Sequence, residues 1–167
     1  MIELKNGIKI GGYFTVECVG PDGQVKWVER ADNLITNVGL DHILDVVLGA
    51  ATQVDPWYVG LKNAGTIAAG DTLASHAGWT ENSNYTGNRQ AYVEAASSGQ
   101  SVTNTASKAA FPITVDTQTI AGAFLCSVAT TTTGTLLCAA DFASAKAADN
   151  GDTLNVTYTV GAADDGV

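Results

Sequence analysis

The sequence predicts a mainly β fold: a β-sandwich, jelly-roll-like, with one short amphipathic helix and long loops. Three observations lead there. Apolar residues alternate at period two in many short runs, those runs are separated by turns rich in Gly, Asn and Asp, and a single segment carries helical periodicity.

Taken in order, Tyr13 to Val19 places Phe14, Val16 and Cys18 on one face, and Val25 to Arg30 resumes with Val25 and Trp27. Between them lies Gly20-Pro21-Asp22-Gly23. Pro presets φ, Asp bonds its own backbone and Gly accepts positive φ, so the two runs form a hairpin. The helix follows. Leu40, Ile43, Leu44, Val47 and Leu48 recur at i, i+3, i+4, i+7 and i+8, with Asn37 as the expected N-cap and Gly49 as the residue that ends it. A stripe of that kind is expected to lie against the sheet.

Trp57, Val59 and Leu61 mark a further strand, and Asn63 to Gly78 has little periodicity and reads as a long surface loop. A polar run from Glu81 to Asn88 precedes an extended segment, Ala91 to Ala95. From Ser101 the strands come quickly: Ser101 to Lys108, Ala110 to Val115, Gln118 to Ala129, Thr135 to Phe142 and Thr153 to Val160. Pro112 cannot donate to a ladder, so its run belongs at a sheet edge. No repeat, linker or second domain is visible, and residues 1–167 are expected to form one domain, with 1–10 as an extended N-terminal arm and 161–167 as a frayed acidic tail.

Charge bounds the partners. Eight Lys and Arg face seventeen Asp and Glu, a net charge of −9, and the basic residues are scattered. Long-range forces then run against phosphate backbones and anionic membranes, so neither nucleic acid nor membrane is expected as a direct partner. Charged residues are only 15% of the chain, below the roughly 25% of an ordinary soluble domain, which suggests a surface partly covered by a partner. Met1 to Ile10 alternates around Asn6-Gly7 and lacks the apolar core of a signal peptide, so synthesis in a cytoplasm is expected.

No motif carries chemistry, and the chain is expected not to be an enzyme and to need no cofactor. Cys18, Cys126 and Cys138 lack the spacing of a disulfide framework or a zinc site and read as small buried hydrophobes, with Cys126 and Cys138 close enough in sequence to face each other across a hairpin. His42 and Asp45 share a helix face but are two ligands only. Ser75-His76 has no nucleophile elbow around it. Asp149, Asp152, Asp164 and Asp165 lack the spacing of a Ca²⁺ loop.

The residues singled out for partner binding are of two kinds. Trp79, Tyr85, Arg89 and Tyr92 are the types that dominate interface hot spots, unless Arg89 stacks on a ring and merely holds the loop. Ile2, Leu4, Ile8 and Ile10 alternate in the N-terminal arm, which either adds a strand to a neighbour's sheet edge or pairs within its own sheet.

Asn33-Leu34-Ile35-Thr36-Asn37-Val38-Gly39-Leu40, Trp57-Tyr58-Val59-Gly60-Leu61 and Asp71-Thr72-Leu73-Ala74-Ser75-His76-Ala77-Gly78-Trp79-Thr80-Glu81 resemble segments of small structural proteins encoded among the head genes of tailed bacteriophages. Asn88-Arg89 and Asn150-Gly151-Asp152-Thr153-Leu154-Asn155-Val156-Thr157-Tyr158 are similar too. The resemblance is to capsid decoration, or cement, proteins. It implies an oligomeric jelly-roll-like virion protein, a dimer or trimer, on the capsid outer surface, bridging neighbouring copies of the major capsid protein to stabilise the shell. Two alternatives stand beside it: a phage tail, baseplate or adaptor protein, and a carbohydrate-binding jelly roll using Trp79 and Tyr85 as stacking platforms.

Overall fold

The computed structural model describes residues 7–164. Eleven strands and one helix lie among them: β1 (Ile8–Val19), β2 (Val25–Asp32), β3 (Leu34–Ile35), α1 (Asn37–Val47), β4 (Trp57–Gly65), β5 (Trp79–Asn82), β6 (Gln90–Tyr92), β7 (Ser101–Thr103), β8 (Ala109–Pro112), β9 (Gln118–Cys126), β10 (Leu136–Ala148) and β11 (Thr153–Asp164). They form two antiparallel sheets, a β-sandwich. One has the order β2-β1-β11-β7, with β8 also on β11; the other has β3-β10-β9-β4-β5, with β6 also on β4.

The alternation seen in the sequence sets the core. Phe14, Val16 and Cys18 from β1, with Leu154, Val156 and Tyr158 from β11, pack against Val59, Leu61, Ala123, Leu125, Cys138 and Ala140 of the other sheet. The β1–β2 turn is as the residues require: Gly23 takes φ +78° and its N–H donates to the Gly20 carbonyl at 2.9 Å. Pro112 ends β8, which pairs with β11 alone.

The second sheet is buried on both faces. Its outer side carries Phe124, Cys126, Leu136 and Ala139, covered by Leu73 and Trp79. Segment 66–78 therefore folds back over its own sheet, and β9 reads as a continuous apolar run because neither of its faces meets water.

Several boundaries differ from expectation. β10 runs on to Ala148 through a shift of register between Asp141 and Lys146, where Ala-rich composition had hidden the strand. β7 keeps only three residues of the run Ser101 to Lys108. Residues 161–164, expected to fray, continue β11 against β1, with Gly11 opposite Gly161 and Ile8 opposite Asp164. Of the N-terminal arm, Ile8 and Ile10 accordingly pair within their own sheet, while Ile2 and Leu4 lie outside the described residues.

Candidate docking surface

The structure brings together an apolar surface on α1 and buries four of the eight residues predicted to bind a partner, Trp79, Tyr85, Arg89 and Tyr92. The helix is capped by Thr36, not Asn37. The Thr36 hydroxyl accepts from the Gly39 N–H at 3.1 Å and donates to the Leu136 carbonyl, while the Thr36 N–H donates to the Leu137 carbonyl at 3.1 Å. One side chain thus caps the helix and ties it to β10. Gly39 then fixes its rotation. A Cβ there would stand 2.2 Å from the Leu137 carbonyl oxygen, so the backbone of α1 touches β10 at a point where no side chain fits. Gly49 does not adopt positive φ, and the helix ends at Leu48 without a left-handed cap.

That anchoring decides which face is covered. Gly39 is buried, and His42, Ile43 and Val46 are half-buried on the sheet side, with His42 set edge-on to Trp57 at 5.2 Å. Apart from Ile43, the expected stripe points the other way. Leu40, Leu44, Val47 and Leu48 are 44%, 57%, 70% and 80% exposed, against the sequence expectation that they pack on the sheet. The tight Gly39 contact outweighs the gain from burying leucines, because rotating α1 to cover them would drive a side chain into β10. Beside the helix an open groove of about 440 Å³ is lined by His42, Ile43, Val46, Val47, Val54 and Trp57, with Val102 and Leu137. One surface thus carries four exposed aliphatic side chains next to an apolar groove, and such patches mark protein interaction sites.

The hot-spot candidates sit elsewhere and inside. Trp79 is 3% exposed, and its indole N–H donates to Asp71 at 2.9 Å while His76 stacks on the ring at 3.9 Å. Tyr85 is buried edge-on to Phe111, and Tyr92 donates to the Tyr158 carbonyl. Burial raises the pKa of both phenols. Arg89, also buried, pairs with Glu81 at 2.9 and 2.7 Å, donates to the carbonyls of Val128 and Thr131, and lies over Phe124 at 5.5 Å. It holds the loop. With Trp79 and Tyr85 enclosed, the carbohydrate-stacking alternative has no exposed platform at either position.

Sequence reasoning missed one buried cation. Lys62 is fully buried, pairing with Asp141 at 2.5 Å and donating to the Gly65 carbonyl at 2.9 Å. No local signal separates it from a solvated lysine. The three thiols are free and buried, and burial pushes the Cys18 thiol up to about 12 and the Cys138 thiol up to about 11. Among the described residues no group of three His, Cys, Asp or Glu is arranged to hold a metal, and no helix is long and apolar enough to cross a membrane.

A family model described as podophage GP4 fiber I protein gp80 matches residues 34–161. The match starts at β3, takes in α1 and its groove, and ends within β11. No curated protein and no solved structure matches the chain.

Proposed function

We propose a docking role for this chain, which belongs to the podophage GP4 fiber I protein gp80 family and is a phage structural protein. In this reading it is an external accessory subunit of the particle, not an enzyme, held to another virion protein through the outer face of α1. The observation that carries the proposal is the outward stripe Leu40, Leu44, Val47 and Leu48, which lies within the segment the family model matches. Four aliphatic side chains kept largely in water stand against the main driving force of folding, and burying what each still exposes against a partner is worth at most roughly 1.5–3 kcal/mol before the costs of association. On a particle that offers many equivalent sites, oligomeric subunits need no single tight contact.

Two placements fit this role. The family's description favours a fibre subunit, which would be seated on the tail or its adaptor. The sequence blocks resembling cement proteins favour decoration of the capsid exterior, with the major capsid protein as partner and α1 bridging adjacent copies. Quantitative mass spectrometry of purified virions separates them, because shell decoration requires hundreds of copies per particle and a fibre a small multiple of the tail symmetry. A virion-free protein, found only in the infected-cell lysate, would overturn both.

A further inference from the structure

The outer face of α1 is acidic along one flank. Asp41 and Asp45 each follow a stripe leucine, Leu40 and Leu44, by one residue, and at a spacing of four they share a side of the helix. Both are exposed, and none of the ion pairs among the described residues involves either. The flanking sequence supplies no cation. From Ala31 to Asn88 the only Lys or Arg is Lys62, which is buried and committed to Asp141.

This placement works against the helix that carries it. Like charges four residues apart repel each other. Asp45 also sits in the last turn, where free carbonyls already make the helix end negative and no basic residue answers them. The two carboxylates, like the leucines beside them, therefore oppose the stability of the isolated chain. The groove beside the helix has the same character. It continues past Trp57, Val102 and Leu137 into a further open volume of about 410 Å³ that is lined by Leu125 and Tyr158. Glu94 is the acidic side chain on its wall, and no Lys or Arg lines either part.

Building on the docking role proposed above, we infer that the partner of α1 is a protein surface with an apolar centre bordered by lysine or arginine, the basic residues facing Asp41 and Asp45. Charge decides among the occupants. A second copy would bring its own Asp41 and Asp45 against this pair, with a net charge of −9 on each chain, and nucleic acid or an anionic membrane would be repelled too. A basic border meets the two carboxylates and the negative end of α1 at once. What costs the isolated helix stability thus favours the complex.

Stability and binding should then move in opposite directions. D45K places a cation in the last turn and makes an attractive pair with Asp41, so the purified protein should melt slightly above the wild type. Its binding to particles prepared without the protein, read by co-sedimentation, should be roughly tenfold weaker than wild type at low salt, with D45N in between. Most of the difference should vanish near 1 M NaCl, where the screening length falls to about 3 Å. Unchanged or tighter binding by D45K overturns the inference, as does a wild-type affinity indifferent to salt. A dimer of the purified chain that L44D/L48D dissociates would make a second copy the occupant and overturns it as well. Loss of binding in L44D/L48D with binding retained in D45K would remove the charge preference alone. Normal binding by L44D/L48D, or none by the wild type, would remove the docking role and this inference with it.

Discussion

Lys62 reaches Asp141 across an intervening strand, and Gly122 is what lets it pass. Lys62 on β4 stands opposite Gly122 on β9, and Gly122 stands opposite Asp141 on β10. A Cβ at residue 122 would lie 2.8 to 2.9 Å from the Lys62 stem and 2.0 Å from the Ala140 carbonyl oxygen. The missing side chain is the channel through which the ammonium meets its carboxylate. Asp141 in turn accepts the Ile67 N–H at 3.2 Å, so the pair also pins the start of the loop that covers the outer face of the sheet.

Removing one partner should therefore cost far more than a surface ion pair would. Asp141→Ala leaves a buried ammonium with one carbonyl for company, and we expect about 3 kcal/mol of destabilisation in urea titrations, at the lower end for broken buried pairs because Asp141 is one-third exposed. Lys62→Met on that background should recover most of the loss by removing the stranded charge. A loss under about 0.5 kcal/mol for Asp141→Ala would place Lys62 in water in solution.

Gly39→Ala offers a test of sign. At an ordinary helical position the change stabilises by about 1 kcal/mol. Here the new methyl meets the Leu137 carbonyl, so we expect destabilisation of about 1–3 kcal/mol, as for overpacked sites. The helix should be pushed off β10, disturbing the His42–Trp57 contact, and Trp57 fluorescence is the local readout.

The sandwich was legible because its cause is local. The alternation of Phe14, Val16 and Cys18, the Gly20–Gly23 turn and the edge position of Pro112 follow from side-chain period and backbone chemistry. The candidate site was less legible because its cause is distant. Leucine spacing gives the width of the α1 stripe but not its direction, which is set by Gly39 on a strand about a hundred residues later in the chain. Trp79, Tyr85 and Arg89 sit in a polar run and look like surface anchors. They are enclosed by partners from far along the chain: Phe124 for Trp79, Phe111 for Tyr85, and Val128 and Thr131 for Arg89.

Acid should weaken the fold through Asp152. Burial acts to raise its carboxyl, but the Lys26 ammonium at 2.8 Å and the Asp149 N–H at 2.9 Å outweigh it and hold the pKa below the usual value. A group lowered in the folded state stabilises above its unfolded pKa, about 3.9 for Asp. That contribution is kept above roughly pH 5 and lost as pH falls through the folded value. Asp152→Asn should reduce stability at pH 7 and flatten the acid limb, so that the urea midpoints of variant and wild type draw together as pH falls below the unfolded value of about 3.9. Parallel midpoints across this range would assign the acid sensitivity to other carboxylates.

The outer face of α1 yields the prediction that bears on function. Leu44 and Leu48 lie one turn apart and are 57% and 80% exposed, so L44D/L48D removes apolar surface without opening a cavity in the core. Substitutions at such positions change stability by about 0.5 kcal/mol or less each, so the isolated protein should melt nearly as before. Docking should respond quite differently. Two carboxylates forced into an apolar interface must be desolvated without partners, and we expect the double variant to be absent from purified particles when supplied in place of the wild type in infected cells. Lys108→Ala, which removes an exposed salt bridge to Glu17 on β1, away from α1 and its sheet, is the control and should be incorporated normally. If L44D/L48D enters particles as efficiently as that control, the α1 stripe is not the attachment surface, and the contact must be sought on another part of the sandwich.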